Sequence, residues 1–349
     1  MADEFTYRNA GVDVEAGNAA VELLKQRLKS VKHPLVLGGL GGFGGAMRLP
    51  RLKDPVLVAG TDGVGTKVLI AKAMDRYDTI GIDLVAMSVN DVSACGAVPL
   101  FFLDYIVTGK VEPEKVAALV GGVDEGCLRA QCVLLGGETA EHPGHFRADD
   151  DFDMAGFAVG IAERDELWGP DKVVAGDVLI GIDSHGLHSN GFSLVRRLLE
   201  HHGVDLHAPF REEDGSTVGD VLLTPTAIYS PVLHDLGHAG GVHAAAHITG
   251  GGFPDNVGRA VPDALAAEID LGAWSPGPAF AWLHGLGVAR DELLRTFNCG
   301  LGVVVVAAAD TAGRLLDVIA RGGHGARVVG AVVPREGGDV VRYRGELAL

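Results

Sequence analysis

The sequence predicts a two-part α/β protein, and three observations carry the prediction. Short apolar runs alternate with helix-length amphipathic stretches, the pattern of strands feeding helices. Glycine is abundant, at 51 of 349 residues, and much of it is clustered where loops would leave strands. The series halts at Leu167-Trp168-Gly169-Pro170-Asp171, and a second one opens after it. The expected division is therefore residues 1–168 and 169–349, and the length suffices for two ordinary cores. Apolar residues make up 47% and aromatics 6%, so those cores must be mainly Val, Leu, Ala and Ile.

In the first half a helix is expected near Asn18–Val31, with Asn18 as its N-cap. Strands are expected at Val56–Ala59, Leu100–Val107, Val133–Leu135 and Ala155–Ala162. Helices fit Asp83–Cys95 and Pro113–Ala130; the second opens Glu112-Pro113-Glu114, with proline in the first turn and acids at the positive end of the dipole. In the second half the expected elements are strand Val178–Ile182, helix Ser193–His202, buried strand Val303–Ala308, helix Asp310–Arg321 and strand Ala326–Val333.

The net charge is -17 and no Lys/Arg run stands out, which argues against nucleic acid as a partner. An acidic protein that binds phosphate needs local compensation, such as magnesium and well-placed lysines. Cys95, Cys127, Cys132 and Cys299 form no C-x-x-C pair, so no zinc framework is expected and the usage fits a reducing cytoplasm. No apolar segment is long enough to span a membrane, and the acidic start does not read as a signal peptide.

The most informative stretch is Gly60-Thr61-Asp62-Gly63-Val64-Gly65-Thr66-Lys67, after the apolar run Val56–Ala59. Glycines let backbone N–H groups close on an anion, lysine offsets phosphate charge, and aspartate can hold a cation. It is not a regular P-loop, because Thr66 stands where G-x-x-x-x-G-K-[ST] needs lysine. Gly39-Leu40-Gly41-Gly42-Phe43-Gly44 matches G-x-G-x-x-G, but two prolines and no helical run follow. It reads as a glycine loop over a ligand or as a plain surface turn.

Asp91, in Val89-Asn90-Asp91-Val92, lies in an apolar helical stretch. It either binds metal or a partner, or faces water on the polar side. Gly136-Gly137-Glu138-Thr139-Ala140-Glu141 follows a strand; its glutamates would share a face if a helical turn begins there. Asp183–Gly191 gathers His185, His188, Ser189 and Asn190, with His188 a candidate acid or donor. His247-Ile248-Thr249-Gly250-Gly251-Gly252 offers a further anion cradle.

Taken in order with Ala10-Gly11-Val12-Asp13, these motifs closely resemble phosphoribosylformylglycinamidine cyclo-ligases, the AIR synthetases of purine synthesis, from about residue 7 to about residue 333. The resemblance implies a mixed-sheet N-terminal domain that forms a barrel across a homodimer, and a C-terminal α/β domain beside it. It implies ATP, Mg2+ and formylglycinamidine ribonucleotide (FGAM). Asp62 and Asp91, with Glu138 as a further ligand, would hold metal. Lys25, Gly41, Gly42, Gly44, Gly63, Thr66, Lys67, Asn90, Gly137 and Thr139 would surround the nucleotide, Lys67 facing phosphate. Glu141, His188, Ser189, Asn190, His247, Thr249 and Gly250 would take the substrate, and His188, Asp62 and Lys67 would serve catalysis. The rival readings are a sister enzyme, such as thiamine-monophosphate kinase or selenophosphate synthetase, and a non-catalytic nucleotide sensor on the same scaffold. Selenophosphate synthetase carries a reactive Cys or selenocysteine near its N-terminus, whereas the first cysteine here is Cys95.

Overall fold

A computed structural model describes residues 5–7, 9–38, 42–211, 213 and 215–349. In the first half, helix α1 (Val14–Arg27) precedes a two-strand ribbon of β1 (Val36–Leu37) and β2 (Ala46–Met47). Then come β3 (Pro55–Gly63), α2 (Val68–Ala73), α3 (Ile80–Ala94), β4 (Val98–Thr108), α4 (Pro113–Ala130), β5 (Val133–Glu141) and β6 (Phe152–Glu163). The strands form one mixed sheet in the order β3-β6-β4-β5, with only β4 and β5 parallel.

The second half runs β7 (Val178–Asp183), α5 (Phe192–His202), α6 (Val218–Leu222), α7 (Ser230–Ala239), β8 (Val242–His247), α8 (Gly252–Ala260) and β9 (Leu265–Asp270). It continues with α9 (Pro278–Gly285), α10 (Arg290–Thr296), β10 (Leu301–Ala307), α11 (Ala312–Arg321), β11 (Ala326–Pro334) and β12 (Val341–Arg344). Its six-stranded sheet has the order β12-β9-β11-β7-β10-β8 and is antiparallel except for the β12–β9 pair. β10 is buried at every position, as a central strand covered on both faces must be.

Helix α3 ties the halves together. Of its 15 residues all but Asp91 and Ala94 are buried, the mark of a helix packed all round. It lies on β3, β4 and β6 of the first sheet and also meets α7 and β8 of the second half.

Four differences from the sequence expectations matter for the site. α1 starts earlier than expected because Asp13, not Asn18, caps it by accepting from the N–H groups of Glu15 and Ala16. β3 runs through Asp62 to Gly63, so the first half of the predicted phosphate loop is strand, paired residue by residue with β6. β5 likewise continues to Glu141, held by parallel pairing with β4. Glu138 and Glu141 therefore sit on opposite faces of a strand, not on one face of a helical turn. α5 starts one residue before the expected Ser193, after Gly191 at φ 77°.

One face of the first sheet is helix-covered; the other carries Leu57, Tyr105 and Phe157 at 57%, 40% and 39% exposure. Among the described residues no helix or strand lies over that apolar face. Nor is any helix among them long and apolar enough to cross a membrane.

Candidate active site

The predicted residues assemble in two places, not one. The first lies at the junction of the halves, where the turn after β3 meets the loop before α5. The Ser189 hydroxyl donates to the Val64 carbonyl at 2.9 Å, and the Thr66 and Ser193 hydroxyls are 3.1 Å apart. Lys67 is 0% exposed. Its ammonium donates to Asp83 Oδ1 (2.9 Å), the His188 carbonyl (2.9 Å) and the Thr224 carbonyl (2.8 Å). An ammonium has three donors and all three are used, so Lys67 does not face phosphate as expected; it clamps the halves. Burial pushes Lys67 down and Asp83 up, and their ion pair opposes both shifts.

Asn90 is also sealed in. Its amide donates to the Ala227 carbonyl and its oxygen accepts from Tyr229 N–H, both at 2.8 Å. It holds the segment before α7 and is closed to a nucleotide. His188 is 2% exposed, with φ at 61°. Its Nε2 accepts from the N–H groups of His185 (3.3 Å) and Ala227 (3.4 Å), which assigns the ring proton to Nδ1, an atom with no partner among the described residues. Burial holds the imidazole well below its usual pKa. His188 is thus a neutral, enclosed organiser of its loop rather than an exposed acid.

Beside these clamps the reactive groups are more open. Asp62 is half-buried at the end of β3, and Asp91 at the end of α3 has a side chain 53% exposed. Burial raises the Asp62 carboxyl, and the negative charge of Asp91 adds to the rise; the Gly63 N–H and His247 oppose it. A carboxylate raised in part by a like-charged neighbour fits a divalent cation between or beside the two. His247 reaches Asp91 across the domain junction, Nδ1 to Oδ1 at 2.8 Å. Its Nε2 lies 3.4 Å from the Asn90 amide nitrogen, a donor, so Nδ1–H is the atom that donates to Asp91.

The loop after His247 is folded by Asn256, whose amide donates to the carbonyls of Thr249, Gly250 and Gly252. Gly251 and Gly252 take φ values of 89° and 57°; a Cβ at Gly252 would lie 2.0 Å from the Leu294 carbonyl. Gly250 sits close enough to Asn190 that a Cβ there would be 3.4 Å from Asn190 Oδ1. Asp62, Asp91, Asn190, His247, Thr249 and Gly250 are thus arranged around the junction, while Lys67, Asn90 and His188 lock it.

The second place is a cavity of about 730 Å3 between α1, the glycine segment Gly42–Gly45 and the edge of the first sheet. It brings together Lys25, Gly42, Gly44, Gly137, Glu138, Thr139 and Glu141. Gly41 lies outside the described residues. Glu141 serves the frame: its two oxygens accept from the N–H groups of Asp13 and Val111, tying the α1 cap to the loop before α4. Lys25 is exposed at the rim and pairs with Glu22 at 2.7 Å.

Asp104 is a cavity residue that the sequence reading missed. It is 8% exposed, and a Cβ at Gly137 would fall 1.8 Å from its Oδ1, so only glycine fits over it. Burial, with the charge of Glu138 adding, pushes its carboxyl up to about 7. The available signal was a single carboxylate inside the apolar strand Leu100–Val107.

The expected three-carboxylate metal set does not gather. Asp62, Gly156, Asp104 and Gly137 face one another in successive register across the sheet. Three strand spacings, roughly 14 Å, therefore separate Asp62 from the strand of Glu138. Among the described residues no three His, Cys, Asp or Glu side chains cluster tightly enough to hold a metal.

Comparison with known proteins agrees with this architecture. Residues 45–162 match the model described as AIR synthase related protein, N-terminal domain, and residues 174–342 match its C-terminal domain. The chain belongs to the AIR synthase related family. Solved structures that resemble this family member include thiamine-monophosphate kinase from Stenotrophomonas maltophilia K279a (19% identity, 95% of this chain and 97% of that one, TM-score 0.68) and E. coli HypE (20%, 94% of each, 0.66). T. maritima PurL complexed with AMPPCP also resembles it (15%, 97% of this chain and 50% of that one, 0.56). At these identities the likeness concerns the fold.

Proposed function

We propose that this family member is an ATP-dependent cyclo-ligase that closes formylglycinamidine ribonucleotide to aminoimidazole ribonucleotide, releasing ADP and phosphate. The formamide oxygen takes the γ-phosphoryl group of ATP. The amidine nitrogen then attacks the activated carbon, the C–O bond to phosphate breaks, and the ring closes. The observation that carries the reading is the meeting of the Gly60–Lys67 and His188–Gly191 motifs at one junction, beside the Asp62–Asp91 pair. The ordered motif set of the cyclo-ligases supports it. That T. maritima PurL is described with AMPPCP and another HypE with ATP supports a nucleotide here. Magnesium on Asp62 and Asp91 would neutralise phosphate charge.

In this reading Asn190, Thr249 and Gly250 orient the substrate, while Lys67 and His188 position the loops that carry them. Lys25 and the Gly42–Gly44 segment face the nucleotide phosphates, and the glycine segment keeps water from the activated intermediate. ADP release with FGAM, and none with thiamine monophosphate, is the expected result of a coupled assay. ADP formed with thiamine monophosphate instead would make the chain a kinase.

The open apolar sheet face fits a second copy of the chain, since a self-complementary patch around a two-fold axis closes without leaving an edge. Phe157→Glu is expected to convert a dimer into a monomer in sedimentation velocity, with the fold retained by circular dichroism. A variant that still sediments as a dimer would place the interface elsewhere.

A further inference from the structure

We propose that Asp104 reads the nucleotide's base, accepting a hydrogen bond from an exocyclic amino group and so selecting adenine over a 6-oxo purine. The proposal rests on the reading that the α1 cavity takes a nucleotide. Burial orders that cavity from mouth to floor. Lys25 and Gly42–Gly44 are exposed, whereas Leu28, Val120 and Leu134 on the inner side are 4%, 4% and 2% exposed. Asp104 belongs to the inner side.

A triphosphate is repelled from the inner carboxyl and has Lys25 and the glycine segment at the rim, so the base is the part that enters the apolar floor. There Asp104 is the polar group without an outside partner. Its carboxyl bonds only to its own backbone N–H, and among the described residues no other group donates to it. The charge of Glu138 on β5 reaches it, and the Cys127 thiol of α4 is near enough to feel its charge. Neither supplies a cation, and Gly137 leaves the space that lets the carboxyl lie there. A nine-tenths-buried carboxylate whose one bond is to its own backbone gains from a ligand that brings a further donor. The adenine 6-amino group is such a donor. The 6-oxo group of hypoxanthine presents a second acceptor to the carboxylate instead.

The test is calorimetric titration of the full chain with ATP and with ITP at pH 8, where the Asp104 carboxyl is ionised. Wild type is expected to prefer ATP by at least ~10-fold. In Asp104→Asn the ratio should fall toward one, because an amide can turn either its oxygen or its nitrogen to the base. In Asp104→Leu the ratio should also collapse, with weaker ATP binding; thermal melts of both variants establish that they are folded. An ATP preference that survives in folded Asp104→Asn and Asp104→Leu overturns the assignment, as does equal binding of ATP and ITP by wild type. Those outcomes leave ATP use intact. Absence of ATP binding in wild type would remove both this proposal and the cyclo-ligase reading.

Discussion

Asp91→Asn is expected to lower FGAM-dependent ADP formation by ~100-fold or more while leaving the fold intact. The substitution is nearly isosteric and the position is exposed, so little packing is lost. What is lost is one of two facing negative charges, in a reaction whose catalysis consists largely of positioning and charge neutralisation. Two accompanying measurements separate this from a general defect. Mn2+ titration followed by electron paramagnetic resonance should show weakened cation binding. The Asp62 carboxyl, relieved of its like-charged neighbour, should titrate lower than in wild type. His247→Ala keeps the Asp91 charge but removes the 2.8 Å hydrogen bond that aims it, so a smaller loss of cation affinity, ~10-fold, is expected. Near-normal turnover in Asp91→Asn would rule out a metal role for this carboxylate.

The second large effect is on stability. Lys67→Met leaves Asp83 as an uncompensated charge at 0% exposure and unpairs the His188 and Thr224 carbonyls. A loss of about 3–5 kcal/mol is expected, read as a lower urea midpoint. Adding Asp83→Asn should recover part of it. The amide oxygen can still accept from the Thr226 N–H and hydroxyl, which now bond to Asp83 Oδ1 at 2.8 and 2.6 Å, and the buried charge is gone. A Lys67→Met protein of wild-type stability that has lost ATP affinity would restore the phosphate role to this lysine and refute the clamp.

These two residues mark the boundary of what could be read from the chain. Both stood out for the same reason, a charged side chain set among glycines or apolar residues. Asp91 lies where α3 emerges from its packing, so its charge stays available. Lys67 lies one turn past β3, where the second half of the chain closes over it. Local sequence cannot distinguish these fates, because the covering groups, the carbonyls of His188 and Thr224, are more than a hundred residues away.

Sequence alone determined the α/β class and the α4 boundaries, Pro113–Ala130, which proline at the first turn makes explicit. It also picked out the motifs that line both places, since glycine, carboxylate and amide residues announce themselves by composition. Tertiary structure decided their grouping. The extension of β3 and β5 by pairing with β6 and β4 turned two supposed loops into strands and spread Asp62 and Glu138 three strands apart. It also set Asp104 beneath Gly137, a contact made only by β4–β5 register. Period and propensity are properties of neighbouring residues, whereas sheet order and burial are set by which distant surfaces exclude water together.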